Sequence, residues 1–271
     1  MWSTGGMFIK ILTLDAWVIS FYRSLIAGIT IMVVSAVKKN KVKYSFDGTS
    51  LACMISYAGI LILFVAATKI TTAANAIFLQ YAAPIYLVFL EPLFLKTKFD
   101  KKSLITVIIC LCGMALFFFG RIDAGNMLGN ILAICSGLCF AFFSLFLKWK
   151  KKNQPEDAIG NVVMGNMLVA VICLPLVFMN LIISPSQFLI LLFLGAIQIG
   201  ISYMIYNEGL KYVSATQSMI IGMLEAVFNP VWVFLSVGER PSIFAIEGGA
   251  IILAAVLWSS LTSNRKGVII D

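Results

Sequence analysis

The chain consists of apolar runs that follow one another with little between them. Residues 17–37, 51–68, 72–95, 103–119, 128–147, 158–182, 188–206, 214–237 and 242–261 are uninterrupted apolar stretches bounded by charge and turn residues. Each approaches the ~20 residues that a helix needs to cross the ~30 Å hydrocarbon core of a bilayer. A strand of a membrane barrel would alternate polar and apolar residues; these runs do not, so they are read as helices. Of 271 residues, 61% are apolar and 12% charged, against about 45–50% and about 25% in soluble domains. No connection is long enough to fold as a domain of its own. The expected class is an all-α polytopic membrane protein.

A tenth run, 1–11, is short. It rises about 18 Å at 1.5 Å per residue and is read as the outer half of a spanning helix. The expectation is that about ten further apolar residues precede it in the native product, so that the first helix is truncated at its N-terminus; a re-entrant half-helix is the alternative. It lacks the basic start and cleavage pattern of a signal peptide.

Charge sets the orientation. Counting ten spans, fifteen of the 20 basic residues fall on one side: Lys38, Lys39, Lys41, Lys43, Lys96, Lys98, Lys101, Lys102, Lys148, Lys150, Lys151, Lys152, Lys211, Arg265 and Lys266. Lys10, Lys69, Arg121 and Arg240 fall on the other. Cytoplasmic loops collect Lys and Arg, so both termini are expected in the cytoplasm of a cell-membrane protein. The net charge of +8 is thereby explained without nucleic acid as a partner. There is no His, and the six Cys lie within apolar runs. This leaves no His-dependent catalysis and no pattern of metal ligands; no cofactor and no enzyme activity are expected.

The chain also repeats. Shifted by 142 residues, Asp15-Ala16 falls on Asp157-Ala158, Phe46 on Phe188, Lys69 on Lys211, Ala73 on Ala215, and Ile109 and Leu111 on Ile251 and Leu253. Lys10 aligns with Lys148 when a longer loop is allowed for. Residues 1–122 and 126–264 then form two repeats of five spans, and an odd number of spans inverts the second against the first. Inverted repeats place a transporter's site between the halves near the midplane; a duplication without retained use is the other reading.

The sequences WSTGGMFIK at the start, FYRSLIAG in the second span, TTAANAIFLQYAAPIY in the fourth and MLEAVFNPVWVFLSVGERPS across the ninth and tenth resemble the drug/metabolite transporter superfamily, EamA-like family. The resemblance covers the whole chain. It implies ten helices in 5+5 inverted repeats and a secondary carrier of small metabolites or toxic compounds, often an exporter, driven by a gradient rather than ATP. No GxxxxGK[ST] phosphate loop is present. Ala226 stands where the family often has Pro; the first-half counterpart Pro84 is kept, and Pro230 follows one turn later.

Charges at bilayer depth cost about 2.5–3.5 kcal/mol on insertion scales and often mark function. Glu225 lies mid-span, with Gln217 and Asn229 expected on its stripe, and reads as a proton-coupling or cation-binding carboxylate, or else as a structural one held between helices. Arg23 is expected to snorkel, to pair with Glu225 or to bind an anionic substrate group. Glu91, near the Lys96–Lys102 cluster, reads as structural, and Glu247 as interfacial. The uncharged candidates are Asn75, Gln80, Tyr81, Gln198, Ser202, Tyr203 and Tyr206; Gln198, Ser202 and Tyr206 share a face at helical spacing. Asn75 and Gln80 diverge by about 140°, so at most one centres on a cavity, and either reads alternatively as interhelical glue worth about 0.6 kcal/mol. Trp2 is expected to cap the cavity. The resemblance implies the third, fourth, eighth and ninth spans as cavity walls. The partners expected are a small-molecule substrate, the bilayer and protons. A membrane enzyme and a structural or assembly protein without transport are the rival classes.

Overall fold

A computed structural model describes residues 1–39, 42–119, 126–178, 183–228 and 242–262. It contains ten helices among them: α1 Gly5–Ile11, α2 Ala16–Val37, α3 Gly48–Ile70, α4 Ala73–Leu95, α5 Lys101–Phe117, α6 Met127–Asn153, α7 Ala158–Val177, α8 Pro185–Gly209, α9 Ala215–Phe228 and α10 Ile243–Thr262. Seven of these are long and apolar enough to cross a membrane; α1, α5 and α9 are shorter over the described residues. Asn229, Pro230 and the rest of the ninth run fall outside the described residues, as do Lys41, Arg121, Arg240, Arg265 and Lys266.

Polar caps fix where the helices begin. Asp47 accepts from the backbone N–H groups of Thr49 and Ser50 at the start of α3, Thr72 from Asn75 at the start of α4, and Ser214 from Gln217 at the start of α9. Ser184 and Gln187 form a reciprocal capping box on α8. Each such cap satisfies donors left over by the first turn and contributes about 1 kcal/mol.

The connections alternate between two ends of the bundle. At one end Lys10 donates to the Thr71 carbonyl at 2.8 Å, Lys69 donates to the Leu12 carbonyl and Gln187 donates to Thr13 at 3.1 Å. At the other, Lys43 pairs with Glu156, Lys150 with Asp47, and Lys151 and Lys211 with Glu208. This second end gathers the described lysines of the α2–α3, α6–α7 and α8–α9 connections. The Lys148–Lys152 stretch, read from sequence as a connection after the sixth run, is instead the last part of α6. Its positive charges are accommodated because Lys148 reaches the carbonyls of Leu210 at 2.6 Å and Val213 at 2.7 Å, and Lys150, 0% exposed, meets Asp47.

Three helices are irregular where they cross the bundle, one of them α9, which a turn at Met223 interrupts. In α4 the first segment ends at Gln80, Tyr81 and Ala82 form a turn, and a second segment runs on from Ala83. Pro84 has no N–H to offer the carbonyl four residues back, which belongs to Gln80. Gly137 of α6 packs there: a Cβ on it would lie 2.7 Å from the Gln80 oxygen. In α8, Leu194–Ile201 forms a π-helical segment, whose extra residue per turn widens the helix. Gly195 within it lets α2 approach, since a Cβ there would meet the Arg23 carbonyl at 2.8 Å.

The principal helix pairs are α3 with α6, α5 with α10, α2 with α7, α2 with α8, α3 with α7 and α4 with α6. The second segment of α4 also meets α9.

Candidate functional site

Tyr81 stands at the break in α4, which frees its side chain to leave the helical face of its neighbours. Its hydroxyl donates to Glu225 Oε2 at 2.5 Å and lies 2.9 Å from the Gly222 carbonyl oxygen. The mid-span carboxylate is therefore held by a group from the other half of the sequence. Tyr81 itself is buried.

An aromatic cluster adjoins this pair. The Trp2 ring lies 5.1 Å from Tyr203, 5.4 Å from Tyr206 and 5.9 Å from Phe140, centroid to centroid. Tyr57 extends the cluster, 4.8 Å from both Phe143 and Tyr203. These spacings suit edge-on and tilted ring contacts. Tyr206 is anchored by donating to Ser144 at 2.8 Å and accepting from Ser218 at 3.1 Å. Trp2, Ser202, Tyr206, Ser218, Gly222 and Glu225 line a cavity of about 390 Å³. Ile205, Ile221 and Phe228 also line it and are exposed on the bundle surface, so the cavity opens laterally between α8 and α9.

Gln198 donates to the Trp2 carbonyl at 3.4 Å, and Ser202 donates to the Ile197 carbonyl at 3.0 Å across the π segment. Gln198 and Tyr206 both meet Trp2, and Ser202 lines the cavity beside it; the π segment alters the spacing read from the sequence.

Arg23 corrects one expectation. It is 4% exposed, so it does not snorkel, and among the described residues it forms no ion pair with Glu225 within 4 Å. Its Nε and Nη1 are buried without a hydrogen-bond partner, as are Trp2 Nε1, Gln198 Oε1 and Asn166 Oδ1. A guanidinium does not lose its charge to escape burial, and unmet buried polar groups call for water or ligand.

One further expectation is corrected. Gln217 does not share the Glu225 cavity: it accepts from Ser259 of α10 at 3.1 Å and lines a separate cavity at the lysine-rich end. The turn at Met223 interrupts the α9 helix between them, so a uniform helical wheel misplaces one against the other. Asn75 and Gln80 are both interhelical clasps: Asn75 donates to Asn130 at 3.2 Å, Gln80 to Ser136 at 2.8 Å. Glu91 does not reach into the lysine loop; it accepts from Ala215 N at 3.0 Å, Thr216 N at 2.8 Å and Thr216 Oγ1 at 2.6 Å, closing the start of α9. Its structural reading stands. Glu247 is exposed, and Asn229 lies outside the described residues.

Sequence reasoning passed over Tyr57, Phe140, Phe143 and Asn166. Asn166 was the available signal: an amide inside an apolar run needs a partner, and it donates to the Tyr57 hydroxyl at 3.1 Å.

Spanning helices around a mid-depth carboxylate, a buried arginine and an aromatic-lined cavity define a multi-pass membrane protein with the makings of a transporter. The EamA-like transporter family matches residues 1–119 and 127–261, and the chain belongs to that family. An uncharacterized transporter of Archaeoglobus fulgidus is 23% identical over 280 residues, spanning 98% of this chain and 95% of its own. An uncharacterized transporter, YwfM, of Bacillus subtilis is 26% identical over 221 residues, spanning 79% of this chain and 72% of its own. A crystal structure of a protein 15% identical in sequence superposes with a TM-score of 0.82, covering 97% of this chain and 94% of that one, and shares the fold. A membrane transporter is not an enzyme class.

Proposed function

We propose that the chain is a secondary transporter, gradient-driven or facilitative, that exports small metabolites or toxic compounds through a cavity between two inverted five-helix repeats, 1–122 and 126–264. In this reading the lysine-rich end faces the cytoplasm, as the positive-inside rule assigns it. Helix pairing supports the repeats. Exchanging each helix with the one five places on maps α2–α7, α4–α9 and α5–α10 onto themselves, α2–α8 onto α3–α7, and α3–α6 onto α1–α8; all of these pairs touch. The lysine clamps support it too: Lys10 on Thr71 and Lys148 on Val213 are images of each other, Thr71 plus 142 being Val213.

The observation that carries the function is the Tyr81–Glu225 bond between the halves. With Glu225 ionised, Tyr81 donates to it. With Glu225 protonated, the carboxylic acid donates to Tyr81, whose own proton turns to the Gly222 carbonyl. The same three oxygens serve both states, so a proton can be taken up or released without rebuilding the site. Arg23 supplies a fixed positive charge for an anionic group of the cargo.

The test is flux in proteoliposomes with labelled metabolites under an imposed pH gradient. Glu225→Gln is expected to fold and to lose pH-driven net transport while exchange survives; Glu225→Asp keeps part of the activity. Wild-type flux by Glu225→Gln across about pH 6 to 8 would make Glu225 a structural carboxylate, and a wild-type chain that moves no metabolite would favour a structural or assembly role. Topology has its own check. With the native cysteines replaced, single cysteines at Lys39, Asp100 and Lys152 are expected to react from one side only, and those at Thr13 and Ser186 from the other.

A further inference from the structure

The second cavity, about 340 Å³, lies at the lysine-rich end between α4, α5, α9 and α10. It belongs to none of the groups around Glu225. What distinguishes it is the balance of donors and acceptors in its lining.

The acceptors are already engaged. Glu91 takes its three bonds from the start of α9. Asp100 caps α5, accepting from Lys102 N at 3.0 Å and Ser103 Oγ at 2.7 Å. Four lining hydroxyls are committed as donors: Ser103 to Asp100, Thr216 to Glu91, Ser259 to Gln217 and Thr262 to the Trp258 carbonyl. The unused groups are donors. Gln217 is 5% exposed and its Nε2 is buried without a partner; its Oε1 is held by Ser259. The ammonium groups of Lys98 and Lys102, both on the rim, form no ion pair among the described residues. Two carboxylates, Glu91 and Asp100, and two ammonium groups without an ion pair among the described residues line the cavity; with the carboxylate oxygens turned to helix starts, the buried amide donor below those ammonium groups asks for a ligand rich in acceptors and negatively charged.

The position adds to this. Leu93 and Phe94, next to the lining residue Pro92 on α4, are exposed on the outside of the bundle, as lipid-facing side chains are. The lysines follow immediately. The mouth of the cavity therefore sits at the level where apolar surface gives way to charge, the depth of lipid phosphates.

We infer that this cavity binds a phosphate group, with Lys98 and Lys102 taking its charge at the rim and Gln217 Nε2 donating to it from below. A bound phosphate would tie the α4–α5 connection to α9 and α10. The group can arrive on a glycerophospholipid headgroup or as free phosphate.

The full chain, purified in neutral detergent, is titrated with dioctanoyl-phosphatidylglycerol, with inorganic phosphate and with dioctanoylglycerol, which lacks the phosphate, and unfolding is followed by thermal shift. Phosphatidylglycerol is expected to raise Tm by several degrees and dioctanoylglycerol to do nothing comparable. A matching rise with inorganic phosphate identifies free phosphate as the source; a rise with the lipid alone identifies the headgroup. The Lys98→Gln/Lys102→Gln double variant, altered only at exposed positions, is expected to need at least tenfold more ligand, as is Gln217→Leu. Equal shifts from phosphatidylglycerol and dioctanoylglycerol, no shift from either phosphate source, or an unchanged titration in the double lysine variant would each overturn the inference.

Discussion

The two ends of the bundle grip their helices by one shared device and one that differs. The shared device is a lysine on backbone carbonyls: Lys10 on Thr71 at one end, Lys148 on Leu210 and Val213 at the other. Beside it, the first end secures the start of α4 with neutral groups, Asn75 and Thr71 meeting at Asn130 Oδ1. The lysine-rich end secures the start of α9 with a buried carboxylate, Glu91. A carboxylate at a helix N-terminus meets both the free N–H groups and the positive end of the helix dipole, so it holds more tightly than an amide. The comparison teaches that two halves aligned in sequence are anchored with unequal strength, and that the stronger anchor lies where the charge is.

Replacing Glu91 should have the largest effect. Glu91→Leu strands two backbone donors and a hydroxyl, each of which had a charged acceptor worth about 1.5–3 kcal/mol; a loss of about 3 kcal/mol is expected by thermal or denaturant unfolding in detergent, and Glu91→Gln should recover part of it. Equal losses at the two ends would break the comparison. Asp47→Asn comes next, at about 1 kcal/mol for a weakened cap, and its effect should depend on pH. Partial burial opposes ionisation of Asp47, but Lys150, Ser45 and the Ser50 N–H together hold its carboxyl well below the usual range. Its contribution is therefore complete above the unfolded value of about 3.9 and is lost as pH falls through the lower folded value. The difference between wild type and Asp47→Asn should shrink as pH is lowered from about 7 toward 3. Smallest is Asn75→Leu, about 0.6 kcal/mol for an interhelical bond in a membrane protein, unchanged over the same pH range.

The residues legible in the sequence were those whose signal is loud in one dimension. Glu225 stands out because a carboxylate in an apolar run is costly, and the lysine asymmetry stands out because loops alternate sides. The alignment of Lys10 with Lys148 was legible as part of the repeat, but not that both lysines clamp backbone carbonyls. What stayed hidden depends on departures from ideal helices. The turn at Met223 sends Gln217 to a different cavity from Glu225. The break at Tyr81 turns a tyrosine, one candidate among seven uncharged residues, into the partner of Glu225. Tyr57 and the aromatic rings around Tyr203 were hidden because an aromatic residue in a span looks the same whether it faces lipid or a neighbour. The role of Glu91 stayed hidden because two of its three donors are backbone N–H groups, which a sequence does not display.

The π segment of α8 has a mechanical meaning of its own. Leu194–Ile201 holds one residue more than an α-helix of the same rise would use, and Ser202 bridges the slack by reaching five residues back to Ile197. Such a segment works like a ratchet with a spare tooth. Absorbing that residue into regular α geometry advances everything beyond it by one step, about 100° of rotation. Tyr203 and Tyr206 would swing away from Trp2 while Gln198 stayed behind. The π segment thus decides which face of the eighth helix beyond Ile201 is turned to Trp2.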